Sequence, residues 1–411
     1  MKRHKAAVVG GGAAGFFGAI TLAAHSPDTH VVILEKGPQF LQKVRISGGG
    51  RCNVTHSCFD PRELTKRYPR GEKELISPFH QFQAADTVRW FEERGVKLKT
   101  EPDGRMFPTT DSSQTIIDCL LREAQKVGVE LRAHCGVEAV EKTDAGFRLR
   151  LTNGEQLPCD RLLLATGGCR TPAQGALALS LGHTLQDPVP SLFTFQIEAP
   201  WLRALAGLSV PLVEASVQGS KLRERGPMLV THWGLSGPAI LRLSAWGARE
   251  LSRFDYRFVL HVNWLPRLSA HDLQSQLEQR AKTDAAKMLM NTSFAPLPAR
   301  LWEALIGVTG LDPRTRWAQL GKANTRLLAE PLQKTELQVS GKSLNKDEFV
   351  TCGGVSLKEV DFKTMESRIT PGVYFAGELL DIDGITGGFN FQSAWTTGWI
   401  AGRAMASSLK P

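Results

Sequence analysis

The apolar positions of this chain come in short blocks that stop at glycine, and these blocks predict strands feeding tight turns. Ala6-Ala7-Val8-Val9 is an unbroken apolar run, the pattern of a strand buried on both faces. Gly10-Gly11-Gly12-Ala13-Ala14-Gly15 follows it at once. Small residues from Ala13 to about His25 predict a helix, and Val31-Val32-Ile33-Leu34 a second strand that ends at Glu35. Two runs far downstream behave in the same way. Leu162-Leu163-Leu164 leads into Ala165-Thr166-Gly167-Gly168, and Val373 to Asp381 predicts a strand with acids at its carboxyl end. Gly384 to Gln392 then opens a helix expected from about Gln392 to Ser407.

The middle of the chain has another texture. Phe193-Thr194-Phe195-Gln196-Ile197 and Phe258-Val259-Leu260-His261-Val262 are β-rich runs broken by Gly and Pro. Leu and Trp at helical spacing mark Ala270 to Ala281, Leu297 to Val308 and Thr315 to Leu320. The expected fold is therefore α/β. It has a discontinuous Rossmann-like domain over 1–190 and 345–411, an inserted β-rich subdomain over 191–268 and a small helical subdomain over 269–344.

The first glycine cluster carries recognisable chemistry. Gly10 permits a tight turn, Gly12 lets the backbone approach a pyrophosphate, and Gly15 lets the helix pack close to the strand. The helix N-terminus points free N–H groups and its positive dipole end at phosphate. Glu35 stands twenty residues after Gly15, where an acid accepts hydrogen bonds from a ribose hydroxyl pair. Strand, helix, second strand and acid in order predict a dinucleotide site for FAD or NAD. A nicotinamide dehydrogenase would continue with alternating strands and helices. Instead, Lys36 is soon followed by Lys43 and then Ser47-Gly48-Gly49-Gly50-Arg51-Cys52-Asn53. Successive backbone N–H groups in such a loop form an anion-holding nest, to which Lys43 and Arg51 would add charge-assisted bonds. Glycine turns split between the two ends of the chain suit a large, extended cofactor, which favours FAD.

Composition narrows the class. The chain has 411 residues, 42% of them hydrophobic and 22% charged, as in ordinary folded proteins. Its net charge is +9. The basic residues are scattered, which argues against a nucleic-acid partner and for a small-molecule substrate. Seven cysteines without a CxxC pair speak against a disulfide framework or a metal site. Met1 to Lys5 followed by the uncharged stretch Ala6 to Ala24 imitates a secretory signal, but five glycines interrupt the supposed apolar core. No membrane span is expected, and the protein is expected to be cytoplasmic.

The sequence resembles the BaiN-type (YhiN-type) NAD(P)/FAD-dependent oxidoreductases, within the glutathione-reductase and fumarate-reductase flavoprotein superfamily. The resemblance runs over nearly the whole chain and is carried by Val9 to Gly18, Lys43 with Ser47 to Asn53, and Gly104 to Pro108. It continues through Ala165 to Gly168, Thr231 to Ala239, Val350 to Val355 and Gly377 to Gly402. It departs where Leu41-Gln42 replace the usual Gly-Arg before the lysine. The resemblance implies that Glu35 holds the adenosine ribose and that Val137 meets the adenine through its backbone. Asp381 would bond the ribityl chain, near Gly377 and Glu378. Gly387, Gly388, Phe389 and Asn390 would bring a helix N-terminus to the isoalloxazine, where its positive end would stabilise a reduced flavin.

His232, in Thr231-His232-Trp233-Gly234-Leu235-Ser236-Gly237-Pro238, is the candidate proton donor, beside a helix with Ser236 as its expected cap. Hydrogen-bonding its own loop is the competing role. Cys52 reads as a small packed residue, and Trp201, Trp233 and Trp264 read as core. The expected function is an FAD-dependent reductase of an activated C=C bond in a small organic substrate, the direction being implied by the resemblance. No second GxGxxG is present, so NAD(P)H would bind transiently. The alternatives are a flavoprotein that modifies RNA and a flavin-bound sensor without turnover.

Overall fold

The computed structural model describes residues 4–169, 172–343 and 350–410. The chain divides into two compact units, Met1–Ser191 with Lys346–Pro411, and Leu192–Asn345. The expected boundary at 344–345 lies outside the described residues.

The first unit is built on a seven-stranded sheet. Its five parallel strands are β1 (His4–Val9), β2 (Thr29–Leu34), β3 (Glu130–Arg132), β4 (Arg161–Leu164) and β5 (Val373–Phe375). They lie in the order β5-β4-β1-β2-β3, and two short antiparallel strands, Glu366–Ser367 and Val360–Asp361, extend the β5 edge. The apolar runs are apolar because both faces of these strands are covered: Ala6 to Val9, Val31 to Leu34 and Leu162 to Leu164 are buried. The chain proceeds outward from β1 to β2 and β3, then returns to the other side of β1 as β4. That reversal opens a crevice between the carboxyl ends of β1 and β4, the place where open α/β sheets bind ligands.

Three helices matter to this crevice: α1 (Ala13–His25), the short α2 (Gln42–Gly50) and the long α3 (Phe389–Ser408). Helix α1 is buried all round because it lies between the sheet and α3. Glycines make this sandwich thin. A Cβ on Gly18 would stand 2.4 Å from Leu163 Cδ2, and Cβ atoms on Gly398 and Gly402 would stand 2.4 Å from the carbonyl oxygens of Ala14 and Gly18. An antiparallel meander (Val137–Thr143, Gly146–Leu151, Gln156–Cys159) and two smaller sheets complete the unit.

The second unit is a closed antiparallel barrel. Its six strands run in the order Thr194–Ile197, Gly234–Ser236, Arg223–Val230, Ser209–Val217, Phe258–Asn263 and Thr335–Ser343. The last strand falls inside 269–344, the stretch expected to be helical. Barrel and helices share one core, in which Phe195, Leu235 and Leu260 from strands cluster with Leu301, Trp302 and Trp317. Thr335 to Val339 alternate buried and exposed, a period-2 signal too short to stand out beside the preceding helix, and the pairing of this strand with strands more than 70 residues earlier is not visible in the sequence. The segment expected as a helix from Thr315 to Leu320 is a single 3-10 turn, Trp317–Gln319, before the helix Gly321–Gln333.

Candidate cofactor site

The turn after β1 sits at the crevice. Gly10 has φ +110°, and a Cβ there would lie 2.2 Å from Ala165 O at the end of β4, so only glycine lets the two strand ends meet. A Cβ on Gly15 would lie 2.0 Å from Gly10 O. Gly12 differs: a Cβ there would meet nothing within 4 Å. It is the N-cap of α1 and offers no side-chain cap, which leaves the N–H groups of Ala13, Ala14 and Gly15 to face the opening.

Glu35 is half-buried at the end of β2. Its carboxylate accepts from the backbone N–H of Gly11 at 2.8 Å and of Gly37 at 2.7 Å, so it ties the glycine turn to the strand end. Each oxygen keeps a lone pair for a ribose hydroxyl. Cys135 N–H donates to Glu35 O at 2.7 Å, which brings Val137, two residues on, to the same end. Lys36 is exposed, its stem close to Gly136.

Residues 43–53, expected as a loop, begin inside a helical turn, α2. Ser47 (φ −62°, ψ 147°) breaks it, and Gly48 and Gly49 are left-handed. With Gly50 and Cys52 also at positive φ, the backbone coils into a nest, and Cβ atoms on Gly49 and Gly50 would meet nothing within 4 Å. The basic side chains do not join this nest. Arg51 donates to Glu101 Oε1 at 2.7 Å and lies over the Phe107 ring, while Lys43 Nζ bonds Glu378 Oε2 at 2.5 Å. Carboxylates supplied by distant segments satisfy both cations, which sequence distance conceals. The Cys52 thiol is buried and pushed up to about 12 by that burial, so it is a packed residue without thiolate chemistry. Asn53, oriented to satisfy both contacts, donates to Thr55 O at 3.0 Å and accepts from Gly388 N–H at 2.9 Å.

Thr166 and Gly167 continue from β4, Gly167 at φ +80° with open space beyond it. Gly168 lies against Glu378 and Thr351, and the Thr351 N–H donates to Glu378 at 3.0 Å. The strand expected to reach Asp381 stops at Phe375, because Gly377 (φ +72°) turns the chain against Ala14. Asp381 is buried beyond this turn.

Helix α3 starts at Phe389 rather than Gln392. Gly387 and Gly388 take φ +135° and +93°, so the helix begins directly after them with no side-chain cap. The side chains of Phe389 and Asn390 are occupied. Asn390 bonds both N–H and C=O of Gly384, and the Phe389 ring stacks on His56 at 4.8 Å between centroids. Only the backbone N–H groups of this first turn remain to meet a ligand.

Two features escaped the sequence reading. The Arg70 guanidinium forks onto both oxygens of Asp383, which also accepts from Ser191 Oγ at 2.6 Å. Asp383 is fully buried, and burial pushes its carboxyl up to about 6 against the opposing pull of Arg70 and Ser191. The second is His56, whose Nε2 donates to Asp103 O at 3.1 Å and whose imidazole burial holds below the ordinary range. Repetition of Asp in Leu380-Asp381-Ile382-Asp383 was the available signal for the first; nothing local marks Arg70 or His56.

His232 lies in the second unit on the exposed turn between two barrel strands. Among the described residues its ring makes no hydrogen bond, so it does not brace its own loop. The neighbouring helix, Pro238–Trp246, is capped by Gly237, and the Ser236 hydroxyl instead accepts from Thr194 at 3.0 Å. Trp264 is core as expected, whereas Trp233 is 61% exposed.

Glycine cradles at the ends of β1 and β4, a nest after α2 and two helix N-termini without side-chain caps fit a long dinucleotide with two phosphates. No helix among the described residues is long and apolar enough to cross a membrane, and no cluster of three or more metal-binding side chains is found among them. A family model described as the HI0933-like protein Rossmann domain matches residues 4–404. The chain is 32% identical to a ribosomal RNA dihydrouridine synthase of Escherichia coli over 99% of each chain. It is 28% identical to a 3-dehydro-bile acid delta(4,6)-reductase of Clostridium scindens over 98% of this chain and 99% of that one. A solved 3-ketosteroid delta1-dehydrogenase from Sterolibacterium denitrificans has a similar fold, at TM-score 0.53 and 13% identity, covering 99% of this chain and all of that one.

Proposed function

The chain belongs to the HI0933-like Rossmann family, whose members are FAD-dependent oxidoreductases, and from that premise we propose that it reduces a carbon–carbon double bond conjugated to a carbonyl, with a uridine of ribosomal RNA as substrate. The observation that carries the substrate is the 32% identity, spread over 99% of both chains, to a ribosomal RNA dihydrouridine synthase. The net charge of +9 accords with a polyanionic partner.

The two relatives' names describe one kind of chemistry. Uracil has its C5=C6 bond in conjugation with the C4 carbonyl, and the Δ4,6 double bonds of a 3-oxo steroid are conjugated with the ketone. Reduction of uracil adds a hydride at the β-carbon, C6, and a proton at the α-carbon, C5; each bond of the dienone takes a hydride at its far, electrophilic carbon (β or the vinylogous δ) and a proton nearer the ketone. FAD, when bound, supplies the hydride equivalent, drawn in turn from a transient donor such as NAD(P)H. The chain's own residues do the holding. The uncapped N–H groups after Gly12 and the nest at Gly48 to Gly50 would take the pyrophosphate, and Glu35 the adenosine ribose. Ala165 to Gly168 would line the crevice, with Asp381 at the ribityl chain. The first turn of α3, fixed by Asn53, by Asn390 and by Tyr68, whose hydroxyl donates to Phe389 O at 2.6 Å, would present its positive end to the flavin ring. His232 remains the proposed proton donor.

Identity of 28% to a bile acid reductase supports a second reading, a small organic enone as substrate. The test is to incubate the yellow holoprotein and NADPH with unmodified ribosomal RNA, and separately with a 3-oxo-4,6-diene steroid. Mass spectrometry of RNA nucleosides should show uridine that has gained two hydrogens. Reduction of the steroid alone would establish the second reading in its place.

A further inference from the structure

The positive charge of this protein is unevenly placed. Between Leu192 and Asn345 stand 19 Lys and Arg against 12 Asp and Glu, a net +7 of the total +9, in 154 of the 411 residues. Within that unit one group of exposed cations is assembled by two segments distant in sequence. The loop after the helix Ala270–Thr283 runs antiparallel to 312–318. Leu289 N–H donates to Thr315 O at 2.9 Å, Met290 N–H to Pro313 O at 3.0 Å, and Trp317 N–H to Lys287 O at 3.1 Å. Lys287 is thereby brought alongside the segment that carries Arg314 and Arg316, and Lys322 and Arg326 follow on the first turns of Gly321–Gln333. All five are exposed.

The neighbouring acids neutralise only one of them. Asp284 pairs with Lys287 at 2.7 Å, and Asp312 accepts the backbone N–H of Arg314 at 2.9 Å. Among the described residues Arg314, Arg316, Lys322 and Arg326 have no carboxylate partner. The platform under them is rigid, because Trp302 and Trp317 are buried and donate to Leu289 O at 2.6 Å and to Thr292 Oγ1 at 2.7 Å.

We propose that this basic end of the inserted unit is the docking surface for the RNA phosphate backbone, an inference that rests on the reading of an RNA substrate. Several exposed cations side by side match a repeating polyanion. A single phosphate would call for an enclosed pocket with convergent donors. Cations of this kind fix register and affinity and leave selection of the base to the catalytic site.

The test uses full-length holoprotein and a fluorescein-labelled RNA hairpin with a uridine loop, titrated across a series of KCl concentrations. The quadruple variant Arg314→Gln/Arg316→Gln/Lys322→Gln/Arg326→Gln is compared with Lys73→Gln/Lys97→Gln/Lys126→Gln/Lys142→Gln, which removes the same charge from exposed positions of the first unit. Both should keep FAD absorbance and melting temperature. The first should bind the hairpin about 10–100-fold more weakly near physiological salt, with a salt slope shallower by about 0.7 for each phosphate no longer neutralised. The second should bind within about threefold of the unmodified protein. Equal binding by both variants would overturn the surface while leaving the RNA reading intact. No hairpin binding by the unmodified protein would remove that reading and the surface together. Loss of binding to phosphatidylglycerol vesicles, with RNA binding unchanged, would reassign the patch to a membrane.

Discussion

Gly12 separates cofactor binding from folding more cleanly than any other residue of the cradle. It has φ −93° and ψ −169°, an extended conformation that a β-branched residue adopts readily, and a Cβ there meets nothing within 4 Å. Gly12→Val should therefore leave the apoprotein as stable as its parent. Its side chain would occupy the space before the first turn of α1, where a pyrophosphate must come within hydrogen-bond distance. Gly15→Ala is the contrast, since its Cβ would lie 2.0 Å from a backbone oxygen and the helix must move. Overpacking of that kind costs roughly 1–3 kcal/mol or more whether or not FAD is bound. A ligand at a thousand times its Kd stabilises the fold by about 4 kcal/mol. At about 2–4 °C per kcal/mol for a body of this size, added FAD should raise the parent's melting temperature by roughly 8–16 °C. Thermal melts of apoprotein with and without FAD, together with flavin absorbance per chain after gel filtration, give the comparison. Gly12→Val should show the parental apo melting temperature, no shift with FAD and no bound flavin. Stoichiometric flavin in Gly12→Val would refute the placement of the pyrophosphate, and an apo melting temperature as low as that of Gly15→Ala would refute the packing argument.

Four other outcomes are expected. Glu35→Ala should lower apoprotein stability by ~1.5–3 kcal/mol as well as weaken FAD, because the carboxylate holds two backbone N–H groups; urea melts of the flavin-free protein that match the parent would contradict this. Arg70→Met should destabilise the fold by ~3–5 kcal/mol, since it strands a fully buried carboxylate. The Asp383 carboxyl titrates at about 6 in the fold against 3.8 ordinarily, so its contribution is complete below the lower value and is lost as pH rises through the higher. Asp383→Asn should flatten that part of the pH–stability curve, read as urea midpoints between those values. His232→Ala should keep full FAD, slow substrate reduction by ~10²–10⁴-fold and leave flavin reduction by NADPH nearly unchanged. Unaltered substrate reduction in stopped flow would leave His232 as an exposed turn residue.

What the sequence alone determined is local. A parallel strand buried on both faces must be apolar throughout, and a turn that brings two backbones together admits only glycine, so β1, α1, β2 and the fingerprint from Gly10 to Gly15 were legible, α1 at both ends and the strands at their carboxyl ends, each strand starting two residues earlier than its apolar run. The same holds for Glu35, whose distance from the turn is set by one helix and one strand. Contacts between distant segments decided the rest. The pairing of Lys43 with Glu378 and of Arg51 with Glu101 joins segments that nothing local links. The clamp of Asn390 on Gly384 is likewise a matter of loop path. Arg70 gains meaning only when Asp383 and Ser191, far apart in the chain, are buried beside it. The charge shows the same division: the total of +9 is written in the composition, and scattered cations gave no motif. Only the antiparallel run of 285–290 against 313–318 brings Lys287 alongside Arg314 and Arg316, because hydrogen bonds between backbones, blind to side-chain identity, set which residues become neighbours.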